Sequence, residues 1–475
     1  MTHRTVTARS LLAVGAFALS LTALITLLAV LFVAEHIPMA GALVLRAEGA
    51  AVVGGTDLYG FTVTEWQLPP TYPPFAAILF VPSTWLPVGA LKAVLIVGNA
   101  VLLVLLVRLS WRFAALPAPA LPAPALPAPA LPAPALPAPG WPAPALPAPG
   151  WPAPVPAPPV PLLAVLTAVA VGLWLEPVFQ TVLFGQISLA VVCLVLWDLS
   201  RPEHALGKGF ALGVAAGITL TPAVLIGYLL LTGRLRSGVT ALASLTATVL
   251  LGTLVLPQAS GEFWTDRVPG AFGGFGTAGA WTVENQSLYG MFARLLHTPD
   301  PGALWVVAAG LTAVGGLWTA RRVAVRAGSE PWGVLAAALT ALLVSPLGWS
   351  HHWVWCVPLL AVLIAEGRFR TAMAVGVVWT ARSFWVVPHE GDLDLALPWW
   401  QQPLASPYTL SALGLLVFAA WRGNRTAPAR PVVTIPSQPS ELPQHPERPR
   451  RSPRSPGPAQ PSASPASSSS ASTIR

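Results

Sequence analysis

Apolar runs about as long as a bilayer is thick recur along this chain, and few charges interrupt them. The first, Leu11 to Ala34, covers 24 residues, more than the ~20 a helix needs to cross a membrane and more than the ~7–15 of a signal-peptide core. Glu35-His36-Ile37-Pro38 follows it without a convincing small-residue cleavage site, so it reads as a retained first helix. Further apolar runs lie at 91–109, 162–176, 180–199, 238–256, 303–320, 332–348, 352–366, 371–388 and 405–421. Charged residues make up 9% of the chain, against about 25% in a soluble domain, which excludes a soluble globular enzyme.

The net charge of +8 is no nucleic-acid footprint, because the basic residues stand singly or in pairs at the ends of apolar runs. Placing alternate loops inside puts Arg108 and Arg112, Arg201 and Lys208, Arg234 and Arg236, Arg321 and Arg322, Arg368 and Arg370, then Arg422 and Arg425 on the cytoplasmic side. Arg4 and Arg9 put the N-terminus there too. The run 209–232 must then enter and leave on one side, and Gly217 and Pro222 break it near its middle. The proline-rich segment 73–88 is too short to cross and reads as a second broken or interfacial helix. The expected fold is an all-α polytopic integral membrane protein of about ten transmembrane helices plus two broken or re-entrant ones. Both termini are cytoplasmic, and the composition points to a GC-rich bacterial genome and its cell membrane.

Four regions follow from this pass. Residues 1–115 form an N-terminal membrane part with the first outer loop. Residues 116–161, a tandem Leu-Pro-Ala-Pro-Ala tract, form a cytoplasmic polyproline-type spacer, since alternating prolines build neither helix nor sheet ladder. Residues 162–425 form the membrane core, and residues 426–475, rich in Pro, Ser and Arg, form a tail unable to bury a core. Two cysteines, Cys193 and Cys356, both in apolar runs, give no disulfide framework.

With that topology the outer face collects the unusual polar residues. They are Arg46, Glu48, Asp57 and Tyr72 in the first loop, Glu176 and Gln186 in the second, and Glu262, Asp266, Arg267, Asn285, Gln286 and Arg294 in the third. Ser345, His351 and His352 follow in the fourth, and His389, Asp392 and Asp394 in the fifth. Polar groups at a membrane boundary are costly unless hydrogen-bonded or in use. A cavity opening at one face is the reading they support. Adjacent histidines point about 100° apart on a helix, poor geometry for joint ligation, so no metal site and no cofactor are expected. No phosphate loop or nucleophile elbow is present.

In order along the chain, these motifs resemble glycosyltransferase family 87, a group of polyprenyl-phosphate-mannose-dependent alpha-mannosyltransferases of the GT-C fold. The resemblance rests on Asp57-Leu58-Tyr59 with Tyr72-Pro73-Pro74-Phe75, Gly185-Gln186, Leu220-Thr221-Pro222, Asn285-Gln286-Ser287-Leu288 with Arg294, and Ser345-Pro346 with Trp349 and His351-His352. It implies a membrane hexosyltransferase that moves mannose from a polyprenyl-phosphate-linked donor to a lipid or glycan acceptor, with inversion, at the outer face. Partners are then the lipid-linked donor, the acceptor and membrane lipids, with no nucleic acid. The resemblance also places an acidic catalytic base about fifteen residues before Asp57, where this chain has Ala42, and a lysine where it has Thr219. A displaced alignment, another loop carboxylate in the role, and lost activity all fit that departure.

An inverting transfer needs a carboxylate to take the acceptor proton, and Asp57, then Glu48, are the nearest candidates. Charge developing on the leaving phosphate needs fixed donors, for which Arg294, His351 and His352 are the candidates. Tyr72, Gln186, Asn285 and Gln286 complete the expected donor or acceptor contacts. A non-catalytic homologue that binds lipid-linked sugars is the alternative. A transporter fits less well, because the charges gather at one interface and no repeated halves are found outside the Pro-Ala tract.

Overall fold

The structure, a computed structural model, describes residues 13–27, 39–65, 67–116, 162–273, 279–389 and 392–425. The Pro-Ala tract from Pro117, the end of the first apolar run and the tail lie outside the described residues. Among the described residues the architecture is all helical, and the only extended pairings are two isolated bridges, Val63 with Leu68 and Asn285 with Trp349.

Among the described residues three helices are long and apolar enough to cross a bilayer: Val88–Ala114, Leu235–Val255 and Gly302–Val325. A fourth span is made if the pair Leu162–Trp174 and Glu176–Phe184, bent by 74°, counts as one crossing. The coarse expectation, a helical chain with bilayer-length segments, is met; the ten crossings are not reproduced by length. Breaks inside apolar runs are the physical reason. The run 180–199 is cut at Gly185, whose φ of +67° ends Glu176–Phe184 in the left-handed region before Ser188–Leu199 begins. The run 209–232 is cut at Thr219–Pro222, between Phe210–Ile218 and Ala223–Leu231, where its proline predicted a break. Segment 73–88 forms the short helix Pro74–Phe80 and a 3₁₀ turn, Val81–Trp85.

Two kinds of helix make the bundle. The three long ones bury only 28% of their apolar window, and Val88–Ala114 shows Val94, Val97, Val101 and Leu105 on an outer stripe, as a helix facing lipid does. Glu330–Val344 is the opposite: every residue from Glu330 to Leu343 is buried, so its all-round apolarity reads as a central core helix. Helices meet through small residues, since lipid leaves close van der Waals fit as the main attraction. A Cβ on Gly316 would stand 2.0 Å from Thr340 Oγ1, and one on Gly213 would stand 2.3 Å from the Ala241 carbonyl. Gly316→Leu is therefore expected to part Gly302–Val325 from the central helix and cost about 1–3 kcal/mol, read as a lowered unfolding midpoint in detergent.

Loops expected on one side contact one another. Arg234 pairs with Glu330 at 2.6 Å beside the Tyr228 hydroxyl, and Glu203 pairs with Lys208 and Arg234. Glu366 accepts from Trp332, Arg368 and Arg422. The buried Asp198 carboxylate accepts from the Gly209 and Leu212 amides, both at 3.0 Å. At a second cluster of loops, residues 48–72, 186, 262–267, 280–294, 345–352 and 394–409 carry the groups singled out above.

Candidate active site

Glu48 lies in the helix Ala40–Gly54, which is not among the bilayer-length helices, and its side chain is fully buried. Its Oε1 accepts from the backbone amides of Thr71 at 3.1 Å and Tyr72 at 3.4 Å, while Oε2 has no partner. Burial pushes its carboxyl up to about 8; the two amides and the positive charge of Arg267 pull the other way and do not cancel it. A carboxylate in this state takes up a proton near neutral pH. Asp57 differs: it is exposed and accepts from the Tyr59 amide at 3.0 Å in a tight local turn.

Tyr72 links this carboxylate to the Gly-Gln motif. Its hydroxyl donates to Gln186 Oε1 at 2.9 Å, and Asn99 Nδ2 holds the Gln186 carbonyl at 3.1 Å. Gly185 is required twice over. Its positive φ caps the preceding helix, and a Cβ there would come within 2.9 Å of the Ala42 Cβ. Ala42, fully buried, thus packs against the Gly-Gln turn, while Glu48 lies six residues on, about 9 Å along the helix and about 120° round it.

A cleft opens next to this group. Tyr72, Ser188, Thr219, Thr221 and His352 give it a polar part, while Val191, Val195, Leu225 and Leu342 give it an apolar wall. A few polar groups set against a long apolar wall suit a ligand with a polar head and a hydrocarbon chain. His352 brings a buried Nδ1 without a partner, and the His351 ring meets its ring edge to face, centroids 4.5 Å apart. The His351 carbonyl accepts from Thr181 Oγ1 at 3.3 Å. Glu48 is one layer behind the cleft, beneath the backbone of Tyr72.

Asn285, Gln286 and Arg294 form a separate, fully buried cluster. Asn285 donates to the Ala280 and Pro346 carbonyls and accepts from the Ser287 and Gly348 amides. Gln286 donates to the Val283 and Ala405 carbonyls and accepts from the Tyr408 amide. Arg294 donates to the Trp281, Thr282 and Asn285 carbonyls and to Ser406 Oγ. These contacts tie three loops together and occupy nearly all the polar capacity of the trio, leaving only Arg294 Nε without a partner.

Four further residues, one of them from the first-loop motif, support the site. Asn99 is a lone buried amide in a 27-residue apolar helix, a polarity that itself marks a role. Tyr59 donates its hydroxyl to the Tyr72 carbonyl at 2.9 Å, and Tyr408 donates to the buried Glu176 at 2.7 Å. The fourth, Arg267, donates to the Tyr59 and Pro70 carbonyls. Among the described residues no three His, Cys, Asp or Glu side chains gather as a metal site.

Comparison with known proteins places this site in a family. The model of glycosyltransferase family 87 matches residues 71–346. A Mycobacterium tuberculosis polyprenol-phosphate-mannose-dependent alpha-(1-2)-phosphatidylinositol mannoside mannosyltransferase is 33% identical over 78% of this chain and 81% of its own length. A Mycolicibacterium smegmatis polyprenol-phosphate-mannose-dependent alpha-(1-2)-phosphatidylinositol pentamannoside mannosyltransferase is 29% identical over 82% of this chain and 81% of its own. No solved structure matches. The motifs found in order from Asp57 to His352 agree with these relatives: the chain belongs to glycosyltransferase family 87.

Proposed function

We propose that this protein is a membrane mannosyltransferase that takes mannose from a polyprenyl-phosphate-linked donor and adds it to a phosphatidylinositol mannoside or a related lipid-linked glycan. The observation that carries this reading is the cleft's mixed lining, the polar side chains of Tyr72, Thr219, Thr221 and His352 together with the apolar ones of Val191, Val195, Leu225 and Leu342. The donor combines the same two kinds of surface. The names of the relatives supply the sugar, the donor and the acceptor class. The basic-residue pattern supports a bacterial cell membrane location with both termini cytoplasmic and the cleft facing outward.

The chemistry is one displacement. The acceptor hydroxyl oxygen attacks the anomeric carbon as the bond from that carbon to the phosphate oxygen breaks, its electron pair leaving with polyprenyl phosphate. The acceptor proton passes to a carboxylate, for which Glu48 is the better-placed candidate and Asp57 the comparison. His352 and the hydroxyl-bearing Thr219 and Thr221 line the cleft and are the candidates to meet the departing phosphate. Asn285, Gln286 and Arg294 serve by fixing the loops around it.

Glu48 must be ionised to act, so transfer under chemistry-limited conditions rises with pH to a midpoint near 8, falling about tenfold per pH unit well below it. A rate flat from pH 6 to 9 would remove Glu48 from this role. One observation favours a second reading, a non-catalytic protein that binds lipid-linked sugars: Ala42 is buried against the Gly-Gln turn with no carboxylate. Radiolabelled polyprenyl-phosphate-mannose offered to purified protein in liposomes with phosphatidylinositol mannosides separates the two. Labelled, extended glycolipid supports transfer; bound donor without product supports the second reading.

A further inference from the structure

We infer that Arg267 is a positioning residue for the proton transfer, acting through the backbone that holds Glu48; this rests on the reading of Glu48 as base. The segment from Tyr59 to Tyr72 is a loop with a narrow neck, and one guanidinium closes it. Arg267 Nη2 donates to the Tyr59 carbonyl at 3.1 Å and Nη1 to the Pro70 carbonyl at 3.2 Å, two acceptors eleven residues apart in sequence. The group lies 4.1 Å from the centroid of the Tyr59 ring, and its Nε is held by Glu262 at 2.9 Å. A planar fork with donors in fixed directions can join two carbonyls in this way; an ammonium cannot do so with the same geometry.

What the clamp fixes is the carboxylate's own support. Thr71 and Tyr72, the two residues after Pro70, supply both amides on Glu48 Oε1. From the other side of the neck, Tyr59 donates its hydroxyl to the Tyr72 carbonyl. Holding Tyr59 and Pro70 therefore sets the height and direction of the two amides. The backbone around Arg267 is itself unusual: Phe263–Arg267 is a π-helical turn inside an otherwise α-helical stretch, which rotates Arg267 relative to a regular helix. Phe263 stacks on Tyr59 with centroids 6.0 Å apart, so the turn presents its ring and its guanidinium to the same residue.

The charged and titratable groups around Glu48 are few. Arg267 faces it across the loop, and Tyr59 and Tyr72 flank it with phenols held neutral by burial. Arg46, on the same helix, turns to the Thr84 and Leu86 carbonyls, Glu262 is committed to Arg267, and Asp57 is exposed. Arg267 thus contributes both a clamp and the cation that favours the ionised carboxylate.

The two contributions separate in a pH–rate profile of the full-length protein in liposomes. Arg267→Gln removes both, and its midpoint is expected to move up by about 0.5–1 pH unit with a plateau lowered about tenfold or more. Arg267→Lys keeps the charge and loses the fork. Its midpoint should stay near wild type while the plateau falls. Equal losses in both variants with neither midpoint moved would mean a structural role only and would overturn the inference. Glu48→Gln, run in parallel, keeps that failure distinct from failure of the base. If Glu48→Gln retains the wild-type profile, the base reading falls whatever the Arg267 variants do. If it abolishes transfer, the Arg267 profiles judge the clamp alone.

Discussion

Glu48→Gln is expected to lower mannosyl transfer by about 10²–10⁴-fold, the usual worth of a positioned general base, while Asp57→Asn changes it by less than about threefold. The contrast follows from surroundings. Glu48 is fully buried, held on Oε1 by two backbone amides, with Oε2 free and its carboxyl pushed up to about 8. Asp57 is in water and spends an oxygen on its own turn. Glutamine preserves the volume and still accepts from Thr71 and Tyr72, so the variant should fold and bind donor. Steady-state transfer with donor binding measured beside it checks both halves. Full transfer by Glu48→Gln together with loss in Asp57→Asn would reverse the assignment.

Arg294→Met is expected to lose the fold before it loses a ligand contact. The guanidinium is fully buried and serves three backbone carbonyls and Ser406, and burial pulls its pKa down to about 10, so it stays charged at neutral pH. Removing it leaves those acceptors in a dry interior, a change worth about 3–5 kcal/mol. It also unties residues 281–285 from 406, the same loops that Asn285 and Gln286 join to 346 and 405. Size-exclusion profiles and unfolding midpoints in detergent read the outcome: a clear drop for Arg294→Met, with a similar though smaller drop for Gln286→Leu. A variant with the wild-type midpoint and weakened donor binding would instead make Arg294 a ligand-binding group.

What the sequence disclosed depended on the range over which each signal acts. Apolar length and the Pro222 break are local, and both appear in the helices. The break at Gly185 was harder to see, because apolar residues continue on either side and only the backbone dihedral divides them. The motifs named residues that meet in space: Tyr72 and Gln186, 114 positions apart, share a hydrogen bond. The sequence put Asp57 ahead of Glu48, and the burial of the two side chains runs the other way. Whether Glu48 or Asp57 is buried depends on where the amides of residues 71 and 72 fall, and no spacing rule relates a helix to a loop 23 residues on. Arg294 illustrates the converse. An arginine near a polar motif suggests a phosphate contact, yet its donors are engaged by carbonyls that only the folded loop presents. Arg267 carried no motif at all; its role is visible only once Tyr59 and Pro70 lie side by side.

The departure at Ala42 bears on how the carboxylate is supplied. Ala42 and Glu48 sit on different sides of one helix, about 9 Å apart along its axis, so Glu48 is not a shifted copy of a side chain at position 42.

Inverting mannosyl transfer from a lipid phosphate is tested most sharply by the structure of the product. Purified wild-type protein in liposomes would receive polyprenyl-phosphate-mannose labelled at the anomeric carbon and a phosphatidylinositol mannoside, and the new linkage would be read by NMR. One polyprenyl phosphate released per mannose transferred, and an anomeric configuration opposite to that of the donor, are the expected results. Retained configuration, or donor that binds and never yields product with any acceptor, would contradict inverting transfer.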